Sequence, residues 1–348
     1  MELYIRNQLF ELVGVIDNAA SIIWTNRFYE AGDFEIYLAA NAFSIELLKP
    51  DFYVTRTDDD MVGIIENIKL TTDEEQGDYL TVTGHCAKAL LKRRIVWEQT
   101  NIFGTVENGI RKLVNENAIA PIITSRKIPR FALSEPRGFT DRVDRQFTGN
   151  NLYEVIVELC RTYRYGWKIT WNDQKSLFEL EIYKGIDRSD SQDENPHVKF
   201  SPEFDNLVSS EYALNSDNYK NVALVAGEGE GTARKTQEIG EAEGLDRFET
   251  YVDARDVSSN DGEIDATTYN QLLHEKGYEI LSEAVISETF SGEVISGQTY
   301  SYKRDYFLGD TVTTENQYNM AIDTQVTEII ESEDQEGYKV IPTLENWT

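Results

Sequence analysis

Cysteine and histidine are scarce: two cysteines, Cys86 and Cys160, and three histidines occur in 348 residues. One cysteine pair could bridge, but neither a disulfide framework nor a zinc site can be built from so few, so a reduced cytosolic origin is expected. His85, His197 and His274 stand alone, with no His at i+4 and no cysteine nearby except Cys86 beside His85. Neighbouring strand residues point to opposite faces, so those two could not readily share a metal. Positive charge is short as well. With 33 Lys and Arg against 62 Asp and Glu, the formal net charge is -29. That balance argues against a direct grip on nucleic-acid phosphates or an anionic membrane, and it favours solubility through self-repulsion. No stretch approaches the roughly 18–20 apolar residues of a membrane-crossing helix. The N-terminus, MELYIRNQLFELVGV, carries Glu2 and Glu11 with neither a basic nor an apolar leader region, so no secretory signal is expected.

The motifs of chemistry are missing too. GEGEG (227–231) lacks the Lys and Ser/Thr of a phosphate-binding loop, and its glutamates would repel phosphate. No Gly-x-Ser-x-Gly elbow occurs, and Cys160 falls on the apolar stripe of a helix, where packing is its usual role. Asp58-Asp59-Asp60 and Asn260-Asp261-Gly262 offer oxygen ligands, but neither follows the spaced pattern of a calcium loop, and solvated turns are the expectation. Paired carboxylates for glycosidic cleavage carry no signal among 62 acidic residues. Arg93-Arg94 and Arg161 with Arg164 read as ion pairs or subunit contacts. No catalytic, cofactor-binding or metal-binding residue is assigned, and the chain is read as a non-enzyme without cofactor.

What is present is β-pattern. Aromatics are plentiful, with 19 Tyr, 15 Phe and 5 Trp, which suits strands. Residues 51–94 read as strand, acidic turn, long strand, acidic turn, strand and a short basic helix, with Val62, Ile64, Ile68 and Leu70 on one strand face. A blurred second copy lies at 310–344, where MAIDTQVTEIIE, the turn SEDQEG and YKVIPTL follow one another. Any two β-meanders share such features, so the letters alone leave duplication open. Between the copies, Thr105 caps a helix with Val106, Ile110, Leu113 and Val114 on one face. A second helix from Asn150 or Asn151 ends at Gly166, and a hairpin follows through Trp167, Ile169, Phe178, Leu180 and Ile182. Residues 187–196 form an acidic linker, and Thr267 caps a later helix that Gly277 weakens by about 1 kcal/mol. The expected organisation is a first β-barrel (1–95), an α+β domain with its linker (96–200), a second β-barrel (201–226 and 287–348) and a helical insertion (227–286).

The order of GDFEIYLAA (32–40), VGIIENIKLTTDEEQGDYLTVTGHCAKALLKRRIV (62–96), NLYEVIVELCRTYRYGWKI (151–169), NVALVAGEGEG (221–231), RFETYVDARD (247–256) and YFLGDTVTT (306–314) resembles the siphophage tail-hub family, the baseplate or tail-tip proteins of long-tailed phages and prophages. The resemblance covers nearly the whole chain, and each motif is structural. It implies a mainly β fold with α+β insertions, in which two similar tube-forming β-barrels per subunit let a homotrimer imitate a sixfold ring. It implies a virion protein of the tail tip, made in the bacterial cytoplasm. Its expected neighbours are a distal tail or tail tube protein above, a tape measure protein, and tip or receptor-binding proteins. DNA would pass through the channel without specific binding, past acidic lumen residues that keep phosphates from sticking. Larger relatives carry a wall hydrolase or receptor-binding extension, which is expected here to be absent or supplied by another protein. Two competitors remain: a cell-wall- or glycan-degrading or binding tip protein, and the equivalent hub of a contractile tail or phage-derived injection device.

Overall fold

The structure, a computed structural model, describes residues 1–73, 77–259, 263–294, 299–318 and 320–347. The chain opens with β1 (Leu3–Arg6), β2 (Leu12–Ile16), β3 (Ser21–Arg27) and β4 (Asp33–Ala39). Helix α1 (Ala42–Leu47), β5 (Tyr53–Thr55), β6 (Gly63–Asp73) and β7 (Gly77–Cys86) follow. Phe34, Ile36 and Leu38 are buried in turn along β4, packing with Leu3, Ile5, Trp24, Val54 and Val82 in one apolar core. Helix α1 starts at Asn41, whose side chain accepts from the Ser44 amide while Ser44 Oγ accepts from the Asn41 amide. Strand β6 departs from simple alternation. A bulge at Glu66, between Ile65 and Asn67, adds a residue and reverses the parity of the faces. Val62 and Ile64 therefore enter one core and Ile65 and Ile68 another, while Leu70, on the face of Ile68 but farther along the strand, is 53 % exposed.

The basic segment after β7 is a 3-10 helix, Ala87–Arg93. Then come β8 (Thr100–Thr105), α2 (Val106–Val114), β9 (Phe131–Leu133), β10 (Arg142–Phe147), α3 (Leu152–Tyr163), β11 (Gly166–Asn172) and β12 (Leu177–Tyr183). Thr105 caps α2 as the sequence predicts. Asn151 caps α3, but Gly166 does not end it. Arg164 does so, in the left-handed conformation at φ 56°. Gly166 serves a different need: a Cβ there would come within 2.2 Å of the Phe28 ring. Strands β8 and β10 pair, β12 lies between β9 and β11, and the apolar faces of α2 and α3 close over them.

The remainder holds β13 (Lys199–Phe200), β14 (Leu207–Asn215), β15 (Val222–Ala226), β16 (Thr236–Ile239), β17 (Glu249–Asp253), α4 (Ala266–Glu283), β18 (Ser287–Val294), β19 (Thr311–Glu315), β20 (Ala321–Asp334) and β21 (Gly337–Trp347). The acidic stretch 187–196 is tied down rather than loose. Ser189 is fully buried on the Asp187 carboxylate, and the Arg188 amide donates to Thr311 O. Strand β15, expected in the second β-barrel, lies instead in a separate sheet between β16 and β17. Ala223 and Val225 are buried there against Tyr269, Leu272 and Leu273 of α4, and that apolar match outweighs neighbourhood in sequence. The residues 227–286 read as a helical insertion thus carry strands as well as α4. Asp265 caps α4, two residues before Thr267, by accepting from the Thr267 and Thr268 amides. Gly277 lets α4 press on this sheet, since a Cβ would meet Val225 at 2.6 Å and Ile239 at 2.7 Å.

The strands outside the insertions join one thirteen-stranded sheet. Its order is β14-β18-β21-β20-β3-β4-β7-β6-β5-β1-β2, with β19 also on β20 and β13 on β19. Two copies of one pattern lie in it. The first reads β3-β4-β7-β6-β5-β1 across the sheet, and the second reads β14-β18-β21-β20-β19-β13. In both, the chain visits the last strand first, then the first and second, then the fifth, fourth and third. The bulge is duplicated too: the β20–β21 register slips at Thr327, between Val326 and Glu328. The hairpin end Asp73 comes seven positions after Glu66, and Asp334 comes seven positions after Thr327. Each hairpin returns through a glycine of positive φ, Gly77 or Gly337. The turn residues 74–76 lie outside the described residues. Strand β2 has no counterpart, and β13 runs parallel to β19 where β1 is antiparallel to β5.

Candidate functional site

The seam between the two copies is the most elaborately built place in the molecule. Residues 328–333 of β20 pair antiparallel with residues 22–27 of β3. Arg27 pairs with Asp33 of its own copy and with Glu328 of the other. Below it, Arg56 is fully buried; its Nη2 lies 2.6 Å from Asp58 and 3.0 Å from Glu331, which is itself 1 % exposed. Lys303 reaches Glu331 at 3.1 Å and Asp59 at 2.6 Å. Burial works against the Arg56 charge, but the Asp58 hydrogen bond and the Glu331 carboxylate more than offset it, so its pKa is raised. The same hydrogen bond holds Asp58 below its ordinary value.

A second knot fastens the β3–β4 turn. Lys88 is buried and donates to the carbonyls of Arg27 at 2.8 Å, Phe28 at 3.1 Å and Glu30 at 2.8 Å. Burial lowers its pKa to about 8. Trp167 Nε1 donates to Tyr29 O at 2.6 Å, and the Phe28 amide donates to Thr327 O, the bulge carbonyl of the other copy, at 2.9 Å. An added Cβ at Gly309, as at Gly166, would come within 2.2 Å of the Phe28 ring. Three regions therefore converge on one aromatic side chain.

The acidic run 58–60 is no solvated hairpin tip. Asp58 holds Arg56, Asp59 holds Lys303 and is 3 % exposed, and Asp60 holds Lys168 at 2.6 Å. Asn260-Asp261-Gly262 lies outside the described residues. Among the described residues no three or more His, Cys, Asp or Glu side chains gather as a metal site. His85 Nδ1 lies 2.6 Å from Glu66, His197 Nε2 lies 2.6 Å from Gln192 O, and His274 lines a distant cavity. Cys86 and Cys160 are free and buried. The loop at 227–231 is fastened to α4, where the Glu228 amide donates to the Tyr269 hydroxyl. Arg93 pairs with Asp51, and Arg161 with Glu30.

A cavity of about 1180 Å³ opens between α3 and α4 and carries Glu158, Glu279 and Glu283 on its wall. Glu158 and Glu279 are not free to act on a substrate as a pair. Arg145 of β10 is buried between them, 2.8 Å from Glu279 and paired with Glu158. Burial and the hydrogen bond with Glu158 push Glu279 up to about 9. Glu158, despite its burial, is held below its ordinary value by that bond and by the Arg145 charge. The two carboxyls share one proton and one guanidinium, an arrangement that clamps α4 to α3 and β10. Among the described residues no helix is long and apolar enough to cross a membrane.

The family model for the siphovirus ReqiPepy6 Gp37-like protein matches residues 2–344. No curated protein sequence matches the chain. Among solved structures, a tail protein from Neisseria meningitidis MC58 is similar over 99 % of this chain and 96 % of its own, at 12 % identity and a TM-score of 0.60. The 43 kDa tail protein of prophage MuSo2 from Shewanella oneidensis covers 99 % and 98 % at 12 % identity and a TM-score of 0.58. Prophage tail protein gp18 from Listeria monocytogenes EGD-e covers 99 % and 94 % at 10 % identity and a TM-score of 0.53. The mainly β fold is thus that of phage and prophage tail proteins.

Proposed function

The chain belongs to the siphovirus ReqiPepy6 Gp37-like protein family, and from that premise we propose that it is a structural component of a phage tail. Its role in this reading is a homotrimeric hub that joins a sixfold tail tube to the distal tip and forms part of the DNA channel. One observation carries it: the same six-strand pattern occurs twice in one sheet, down to the bulge and its distance from the hairpin turn. Three chains with two copies each present six equivalent motifs, the number that faces a sixfold tube without a change of symmetry. Closed rotational assembly of identical chains is the common way to build such a ring. Obligate interfaces of this kind bury on the order of 2,000 Å² or more.

The work assigned to the protein is assembly, not chemistry. Its partners in this reading are the tail tube or distal tail protein above, and the tape measure and tip proteins nearby, within the virion. The net charge of -29 suits a channel wall that repels DNA phosphates and lets the duplex slide. Mass photometry of the purified chain, alone and with the tail tube protein, and cryo-electron microscopy of the resulting assembly test the reading. A trimer mass and a ring with an acidic lumen are expected. A chain that stays monomeric even beside its tube partner, or a ring with a basic lumen, would sink it.

A further inference from the structure

The duplication has one unequal consequence. In the second copy the outer edge of β20 is covered, because residues 328–333 pair with β3. The matching stretch of the first copy, found by laying the bulge residue Glu66 on Thr327, is residues 67–72 of β6. Those residues pair with β7 on one side, and among the described residues no strand covers the other. The missing partner also has a counterpart. One row across the first copy runs Asn67, Thr83, Glu35, Ile23, and the equivalent row in the second runs Glu328, Thr343, Ser291, Glu211. Strand β3 therefore corresponds to β14, with Ile23 at the place of Glu211. Strand β14 lies at one end of the sheet with its outer edge uncovered among the described residues.

We propose that residues 67–72 of β6 pair antiparallel with β14 of a second copy of this chain, in the register that the internal seam dictates. Asn67 then faces the partner's Asn215, Ile68 the partner's Leu214, Lys69 the partner's Ala213, Leu70 the partner's Tyr212, and Thr71 the partner's Glu211. The chemistry fits that register. Ile68 and Leu70 lie on one face with the partner's Leu214 and the partner's Tyr212, and Lys69 lies diagonal to the partner's Glu211. Leu70 is 53 % exposed in the single chain and Leu214 62 %. At the seam the equivalents of Leu70 and Tyr212 are Glu331 and Trp24, 1 % and 0 % exposed. A bare edge with apolar side chains is one that native proteins cover. The contact is head to tail, so each copy offers one β6 edge and one β14 edge. Closure after three copies rests on the hub reading above; the pairing itself does not.

Two single variants, Leu70→Cys and Tyr212→Cys, mixed and oxidised, test the register, because any disulfide joining residue 70 to residue 212 in that mixture links two chains. Cys86 and Cys160 are buried and stay out of the reaction. Opposed residues of an antiparallel pair lie within disulfide reach, so the mixture is expected to give about tenfold more 70–212 product than Thr72→Cys mixed with Tyr212→Cys. Leu70→Asp, a change at an exposed site, is expected to keep the circular dichroism of the folded chain and lose association. A trimer without the 70–212 link, or a trimer that survives Leu70→Asp, overturns the edge pairing and leaves the hub reading standing. The link in dimers or open polymers supports the pairing and overturns the closed trimer. A chain that stays monomeric without the link, alone and beside the tail tube protein, overturns both.

Discussion

The two copies of the six-strand pattern share strand order, bulge and hairpin, yet they treat equivalent places in opposite ways. At the position of Leu70 in the first copy the second has Glu331, sealed under the seam with Arg56 and Lys303. Where the first copy turns from β3 to β4 within a few residues, the second inserts a whole three-stranded sheet with α4 between β14 and β18. The difference teaches which junction is permanent. Inside the chain the two strands are always delivered together, so a buried ion cluster is tolerated and penalises any wrong register. At the open edges, Lys69 and Glu211 apart, the side chains are apolar or neutral, which suits a contact made between separate chains.

The sharpest way to break this comparison is at the Phe28 knot, which only the first copy owns. Phe28→Ala would leave a void beside Gly166 and Gly309 and cost about 4 kcal/mol in urea unfolding. A loss below about 1 kcal/mol would mean that the three regions do not depend on one another there. Next comes Arg56→Met, which leaves the buried Glu331 carboxylate with Lys303 and the Tyr338 hydroxyl but without its guanidinium; about 3 kcal/mol is expected. Leu70→Ala, at Glu331's equivalent position, should change the stability of the single chain by less than about 0.5 kcal/mol, since Leu70 is half exposed. Equal losses for the two would erase the contrast.

The insertion of the second copy makes a pH-dependent prediction. Glu279 has an ordinary value of 4.5 and is raised to about 9 by burial and by Glu158. Between those values the unfolded chain has released the proton that the folded chain keeps, so stability falls as pH rises from about 5 to 9. The slope is at most about 1.4 kcal/mol per pH unit. Glu158, with its lowered value, acts in the other direction and only at more acidic pH, where its contribution is lost as pH falls. Glu279→Gln keeps a hydrogen bond for Glu158 but does not titrate, so its melting temperature should fall less steeply than that of the unaltered chain between about pH 5 and 8, below the range in which Lys88 titrates. An unchanged slope in the variant would remove Glu279 as the cause.

Much of this architecture is legible in the letters. The alternation in β4 and in β11 with β12, the apolar stripes of α2 and α3, and the echo between the two hairpins are all local patterns. The bulge at Glu66 is not, because an extra residue reverses parity without changing composition, and so Val62 and Ile64 read as sharing a face with Ile68 and Leu70 when they do not. Strand β15 reads as part of the second copy because its letters fit any buried strand; only the apolar face of α4 decides its place. The seam is hidden for a simpler reason. Arg56 and Glu331 are 275 residues apart, and a salt bridge leaves no periodic trace in a sequence with 62 acids. The open edge of β6 is visible only once the covered edge of β20 is known.

The smallest expected effects lie in the run 58–60, which tests the seam at the finest grain. Three adjacent aspartates of identical chemistry sit in three environments. Asp59 is 3 % exposed on Lys303, Asp58 is 64 % exposed but doubly bonded to Arg56, and Asp60 is 63 % exposed on the half-exposed Lys168. Asp59→Asn strips a buried charge partner from Lys303 and should cost about 2 kcal/mol. Asp58→Asn weakens one arm of the Arg56 clamp, with about 1 kcal/mol expected. Asp60→Asn removes a solvent-screened pair and should stay within about 0.5 kcal/mol, shrinking further in high salt. A solvated turn would give three equal, small values; a seam gives the graded series, and Asp60 fixes its lower end.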